Sequence, residues 1–191
     1  MRYMTLCLLG VLMVVPGQLA GQEQRTLIGG GVTSGGFGGP VVRFSSVAGK
    51  FAVFGGGRGG WIINHTFVIG LGGYGLANDI AVTPGAPSRE IEFGYGGLEM
   101  EYVNSWNRIV HVTGHVLIGG GGLTVKRLLV ERSESLFVSE PAVNLEVNIV
   151  KFFRVNLGGG YRFVAGVEDP EVSASDLDGP FGQLTLKFGK F

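Results

Sequence analysis

Apolar and polar residues alternate at every second position through eight stretches of this chain: 31–47, 50–63, 66–77, 89–103, 108–123, 136–149, 152–165 and 181–191. Period two is the repeat of a strand whose two faces meet different surroundings. Beyond the first twenty residues no stretch repeats at the helical period. The connections alternate in length. Asn64-His65, the turn from Asn104 to Asn107, and Val150-Lys151 are tight. Residues 78–88, 124–135 and 166–180 are long and polar, although the first loop at Ala48-Gly49 is short. Such a chain is predicted to be all-β: an eight-stranded antiparallel up-and-down barrel with both termini on the short-turn side.

The first residues follow a different rule. Arg2 precedes an apolar run over 6–15, and Gly17, Ala20 and Gly21 supply small residues after it. That run is too short to cross a bilayer as a helix, which needs ~20 residues, and has the layout of an export signal. The expected division is a signal at 1–20 and the barrel at 21–191. Cys7, the one cysteine, lies at the start of the run, so the exported chain would carry no disulfide and no thiolate metal site. Lys plus Arg number 15 against 15 Asp plus Glu, which leaves no basic excess to hold a nucleic acid.

Which face meets which medium can be read from several strands. Val110, Val112, Val116 and Ile118 oppose His111, Thr113 and His115, and Val143, Leu145 and Val147 oppose Asn144, Glu146 and Asn148. Phe153, Val155, Leu157, Tyr161 and Phe163 oppose Arg154, Asn156 and Arg162. A polar face of small and charged residues suits the inside of a narrow barrel in lipid. The expected lumen network is Arg43, Arg58, Glu99, Glu101, His111, His115, Glu146, Arg154 and Arg162, together with Glu140 and Lys187. Isolated buried ions cost several kcal/mol each, so these should pair, Arg154 with Glu146 and Arg58 with Glu99 or Glu101. The pairs would plug the lumen; the alternative is a narrow pore lined by the same residues.

Aromatics gather near strand ends, Trp61, Tyr102, Trp106, Phe152, Phe153 and Phe188 on the short-turn side and Phe93, Phe137, Phe163 and Phe181 on the other. They are expected to form girdles at the two interfaces of a bilayer. In the fourth segment Ile91, Phe93 and Tyr95 change phase to Leu98, Met100 and Tyr102 across Gly96-Gly97, which predicts a β-bulge.

Motifs for chemistry are sparse. The glycines from Gly55 to Gly60 around Arg58 lie within a strand with no helix after them, so they cannot cradle a phosphate as a nucleotide loop does. Glycine there permits curvature, with Trp61, Tyr74 and Tyr161 able to cover neighbouring glycines. His111 and His115 share a face but lie roughly 13 Å apart at ~3.3 Å per residue, too far to bind one ion. His65 sits in a turn. The last loop is acidic, and Asp176-Leu-Asp-Gly179 echoes a calcium loop without its downstream glutamate, so a solvated surface loop is expected. No catalytic, cofactor-binding or metal residue is expected, and no cofactor.

The chain ends on Leu184-Thr-Leu-Lys-Phe-Gly-Lys-Phe191, a strand closing on an aromatic. With the alternating strands and girdles, it resembles the small eight-stranded bacterial outer-membrane β-barrels, the group that includes the OmpA-type barrel domain. Ser34-Gly-Gly-Phe-Gly-Gly-Pro-Val-Val42 and Gly57-Arg-Gly-Gly-Trp-Ile-Ile-Asn-His-Thr-Phe67 are similar to blocks of an uncharacterised family of such barrels. The resemblance implies a monomer in the outer membrane with lipid as its surroundings. It further implies recognition of the last strand, ending at Phe191, by the barrel-insertion machinery. The implied role is structural or surface-interacting, without enzymatic activity. The group also includes enzymes that deacylate or acylate lipid A, for which Ser139-Glu140 or Ser133 to Ser135 would need a histidine nearby. Phe191 is out of phase with Leu184, Leu186 and Phe188, and a kink at Gly189 would restore it.

Overall fold

The computed structural model describes residues 31–80, 90–126, 131–167 and 172–191; the expected export signal lies outside them. Eight strands run in chain order: β1 (Ser34–Val47), β2 (Lys50–Ile63), β3 (Phe67–Leu76), β4 (Glu90–Val103), β5 (Val110–Lys126), β6 (Glu131–Val150), β7 (Phe153–Ala165) and β8 (Gly179–Lys190). Each pairs antiparallel with its neighbours, and β1 pairs with β8, so the sheet closes on itself. Closure matters in lipid because it leaves no unpaired sheet edge across the hydrocarbon. Two hairpins turn through left-handed residues, Ala48-Gly49 (φ 49° and 71°) and Asn64-His65 (φ 51° and 58°). Two-residue turns of that hand match the twist of the strands they join.

The outer wall is apolar. Leu71, Val143 and Leu157 are among its most exposed side chains, and Val143 and Leu157 stand in the parity that the sequence assigns to lipid. Most large and charged side chains of the inner wall are buried, as expected of eight strands, whose interior is just wide enough for side chains to fill.

Four expectations need correction. Gly96 and Gly97 form no bulge: they pair with Gly73 and Gly72 on one side and Gly120 and Gly119 on the other in unbroken register. Ile91, Phe93 and Tyr95 are buried in the same inward parity as Glu99 and Glu101. What reads as a phase change is a change of chemistry inside the barrel, from apolar at the loop end to charged below. A register shift occurs instead in β6 against β7, between Asn148 and Val150. The loop-side girdle also loses two members, because Phe93 and Phe181 point inward while Phe137 and Phe163 face out.

Third, most of the predicted loop 124–135 is strand, paired from Gly122↔Ser135 to Lys126↔Glu131. Polar residues are compatible with strands that rise clear of the lipid, since both faces then meet water. Fourth, the last connection is no freely solvated loop. It carries a short helix, α1 (Ala174–Leu177), and Val172 and Leu177 are fully buried among Val47, Phe54, Phe93 and Val164. Ile80, from the connection after β3, joins the same cluster. These residues make an apolar lid over the loop end.

The lid is held from below by Arg162. Its Nε donates to the carbonyl of Leu177 at 2.7 Å and its Nη2 to the carbonyl of Ser46 at 3.1 Å. The Ala48 amide donates to Asp176 O at 2.7 Å, and the Val164 amide to Asp178 Oδ1 at 2.6 Å. Within the lid, the Ser173 amide and hydroxyl both donate to Asp176, holding its carboxyl below the usual aspartate range. That carboxylate contact is therefore kept above the ordinary aspartate range and lost as pH falls through the depressed value. Arg162→Ala should cost the lid about 1.5–3 kcal/mol of local stability, the worth of hydrogen bonds to a charged donor. Limited proteolysis checks this: cleavage within 166–178 should quicken roughly tenfold or more, with the barrel itself still resistant.

Candidate functional site

The lumen gathers the chemistry of this chain. Its inward positions are fixed by strand parity, and the register then decides which charges share a level. At the upper level Arg43 of β1 reaches across to Glu140 of β6 as an ion pair. Its Nη1 donates to Tyr95 Oη at 3.2 Å and its Nε to Gln183 Oε1 at 3.0 Å. The guanidinium lies over the Tyr74 ring, 3.4 Å from its centroid, a stacking contact that suits a desolvated arginine. Tyr95 Oη donates onward to Glu140 Oε1 at 2.6 Å.

The middle level belongs to Glu99. Tyr74 Oη donates to it at 2.5 Å, Arg58 Nε lies 2.5 Å away, and His115 Nε2 stands at 3.7 Å. Arg58 then bridges downward, its Nη2 donating to Glu101 Oε2 at 2.7 Å. Lys187 of β8 continues the ladder. Its Nζ is 2.6 Å from Glu101 Oε1 and 2.5 Å from Glu146 Oε2, which ties β8 to β4 on the opposite wall and to β6. Glu146 also accepts from Arg154 Nη1 at 2.9 Å and from Asn156 Nδ2 at 3.3 Å. His111 sits between Glu146 Oε1 and the Arg108 carbonyl, 3.2 Å from each.

Below the charges the lumen turns apolar again, with Phe37, Ile62, Val68 and Val103 packed against Phe191. Phe191 stacks on Phe37 at 6.3 Å and takes the Arg154 guanidinium over its ring at 4.0 Å. Gly189 does not kink the strand outward: its amide keeps a ladder bond to Phe152 O, and the final aromatic follows the inward parity of Thr185 and Lys187.

All the lumen residues expected from the sequence are therefore buried inside, but not as one network. Arg43, Arg58, Glu99, Glu101, Glu140, Glu146, Arg154, Lys187 and the two histidines form a ladder, whereas Arg162 stands apart under the lid. Four carboxylates face four cations along it, so the desolvated charge balances. Sequence reasoning missed Tyr74, Tyr95 and Gln183, which add hydrogen bonds to Arg43, Glu99 and Glu140. The signal was present. Tyr95 shares parity with Glu99 and Glu101, and Tyr74 shares it with buried Val68, but an aromatic side chain in a strand of this kind reads first as lipid-facing or as a cover for glycine.

For other chemistry the arrangement offers little. Among the described residues no three His, Cys, Asp or Glu side chains converge as a metal site. Ser139 and Glu140 are adjacent on β6 and so project to opposite faces, the carboxylate inward onto Arg43.

The chain matches no protein-family model and no curated protein. Among solved structures it is similar to the Neisserial surface protein A, with a TM-score of 0.62 at 12% identity over 85% of this chain and 100% of that one. The N-terminal β-barrel domain of Pseudomonas aeruginosa OprF gives 0.56 at 10% identity, covering 82% of this chain and 96% of that one. Ail, the attachment invasion locus protein of Yersinia pestis, gives 0.51 at 14% identity, covering 82% and 95%. Identities this low speak for fold, and the fold is that of a small eight-stranded outer-membrane β-barrel.

Proposed function

We propose that this chain is a closed barrel of the bacterial outer membrane, delivered there by residues 1–20, which presents its loop end for surface interaction and neither conducts nor catalyses. One observation carries the reading: the lumen is filled along its length, with an apolar lid above, a cross-lumen ladder of ion pairs between, and an apolar floor closed by Phe191. Ions held this closely leave no continuous polar path, and moving any one of them would uncover a desolvated partner. What stands in water at the loop end is the rising β5–β6 hairpin and the lid, the parts free to meet another molecule without disturbing the membrane span. The reading against enzymatic activity is supported by the opposite directions of Ser139 and Glu140 and by the inward burial of His111 and His115.

Purified protein in a planar lipid bilayer tests this. No discrete conductance steps are expected. Steady single-channel steps would overturn the closed reading in favour of a narrow pore; an altered acyl pattern in lipid A recovered from incubation with the protein would overturn the non-catalytic reading.

A further inference from the structure

Charge is distributed unevenly outside the barrel. At the loop end Asp79, Glu92, Asp176 and Asp178 stand among few described cations. At the turn end Arg108, Lys151 and Lys190 are exposed. Among the described residues no carboxylate side chain is exposed beside them: Glu99, Glu101 and Glu146 are all turned into the lumen. An open groove lies at this end, with Lys151, Lys190 and Arg154 around it and Trp106 and Phe191 among its walls.

The groove is preformed. The Asn148 amide donates to the carbonyls of Arg108 at 2.7 Å and Trp106 at 3.2 Å, clamping the β4–β5 turn against the end of β6. The Asn148 backbone amide adds a bond to Ile109 O at 2.8 Å. Arg154 is fixed between Glu146 and the Phe191 ring, so it borders the groove without being free to swing.

Its height identifies the occupant. Trp106 is part of the exposed aromatic set at the turn end, with Trp61, Tyr102, Phe152 and Phe188. Lys151 directly precedes Phe152, and Lys190 lies two residues past Phe188. Tryptophan and tyrosine settle at the headgroup level of a bilayer, so cations just beyond them lie where lipid phosphates are. A groove of fixed shape with lysines and no opposing carboxylate side chain then selects for negative charge at that depth.

We propose that this groove binds the headgroup of an anionic phospholipid in the leaflet at the turn end, with Lys151 and Lys190 as the phosphate contacts and Trp106 against the glycerol and upper acyl region. The site is independent of whether the lumen conducts.

Native mass spectrometry of the full barrel tests the site, using dioleoyl phosphatidylglycerol and dioleoyl phosphatidylethanolamine as competing probes. The folded protein should retain phosphatidylglycerol preferentially. Lys151→Gln with Lys190→Gln should lower that preference by roughly tenfold or more, while Lys151→Arg with Lys190→Arg should keep it. Lys50→Gln, at the other end, should also leave it unchanged. All three lysines lie outside the lumen network, and the shift between boiled and unboiled samples on a gel verifies folding of each variant. Equal retention of the two lipids, or a preference untouched by the double glutamine variant, would overturn the proposal. Displacement of the lipid by millimolar glycerol 3-phosphate would overturn its lipid source, because the site would then be reading soluble phosphate.

Discussion

Glu146→Ala should destabilise the barrel by about 3–5 kcal/mol, the range for removing one partner from a buried ion pair. Glu146 answers three donors at once, Lys187, Arg154 and Asn156, with His111 beside it, and it is fully buried. Its loss leaves Lys187 with Glu101 alone, which is already bonded to Arg58, and leaves Arg154 with only the Phe191 ring. Lys187 cannot reach water without opening the floor, whereas Arg154 borders the open groove at the turn end, so the larger part of the cost falls on Lys187. Reversible urea unfolding in lipid vesicles, followed through Trp61 and Trp106, gives the number. A cost below about 1 kcal/mol would mean that water or another carboxylate reaches the site, contrary to the packing.

A comparably large loss is expected from the smallest possible change in side chain, Gly158→Ala. Gly158 faces inward on β7, directly opposite Asn144 of β6. A Cβ there would lie 2.4 Å from the Val143 carbonyl oxygen and 2.6 Å from Asn144 Cα. Backbone cannot step aside as a flexible side chain can, so β6 and β7 must separate locally, at a cost of about 3 kcal/mol or more. Gly55→Ala is the control. It faces out from β2, nothing lies within 4 Å of its added Cβ, and the change should stay within about 0.5 kcal/mol. The same unfolding experiment separates the two. Equal effects would show that glycine matters here through chain entropy and not through close approach.

The contrast between these glycines marks how far the sequence could be read. Strand positions, closure and the sidedness of β5, β6 and β7 were legible because lipid outside and charge inside impose a strict alternation. Val110 against His111, or Leu145 against Glu146, leaves no ambiguity. The pairings Arg154–Glu146 and Arg58–Glu99/Glu101 were legible for a related reason. A tight turn joins β6 to β7 and puts Glu146 and Arg154 at similar depth, and β2 and β4 both flank β3, bringing Arg58 near the two glutamates. The rule failed where the lumen itself changes medium. Ile91, Phe93 and Tyr95 look lipid-facing because they are largely apolar, yet they join one buried cluster with Leu177 and Val172 of a lid whose approach is set by contacts far apart in the chain. Nothing local in residues 172–178, polar and acidic for the most part, announces that Leu177 will be fully buried. The inward Phe191 could have been read, since its parity was plain; the expectation of a kink displaced it.

If ion pairs span and close the lumen, Glu101 on β4 and Lys187 on the opposite wall, 2.6 Å apart, must be coupled in energy. A double-mutant cycle with Glu101→Leu and Lys187→Met, read by urea unfolding in vesicles, measures their coupling. Each single change leaves one uncompensated charge in the ladder, an excess cation or an excess anion. Together they leave Arg58 with Glu99 and Arg154 with Glu146, and the charge balances again. The double variant should therefore lose less than the two single losses combined, by about 1–3 kcal/mol. Losses that add to within about 0.5 kcal/mol would show that the two residues do not meet across the barrel, and a lumen without that strut would not be closed as described.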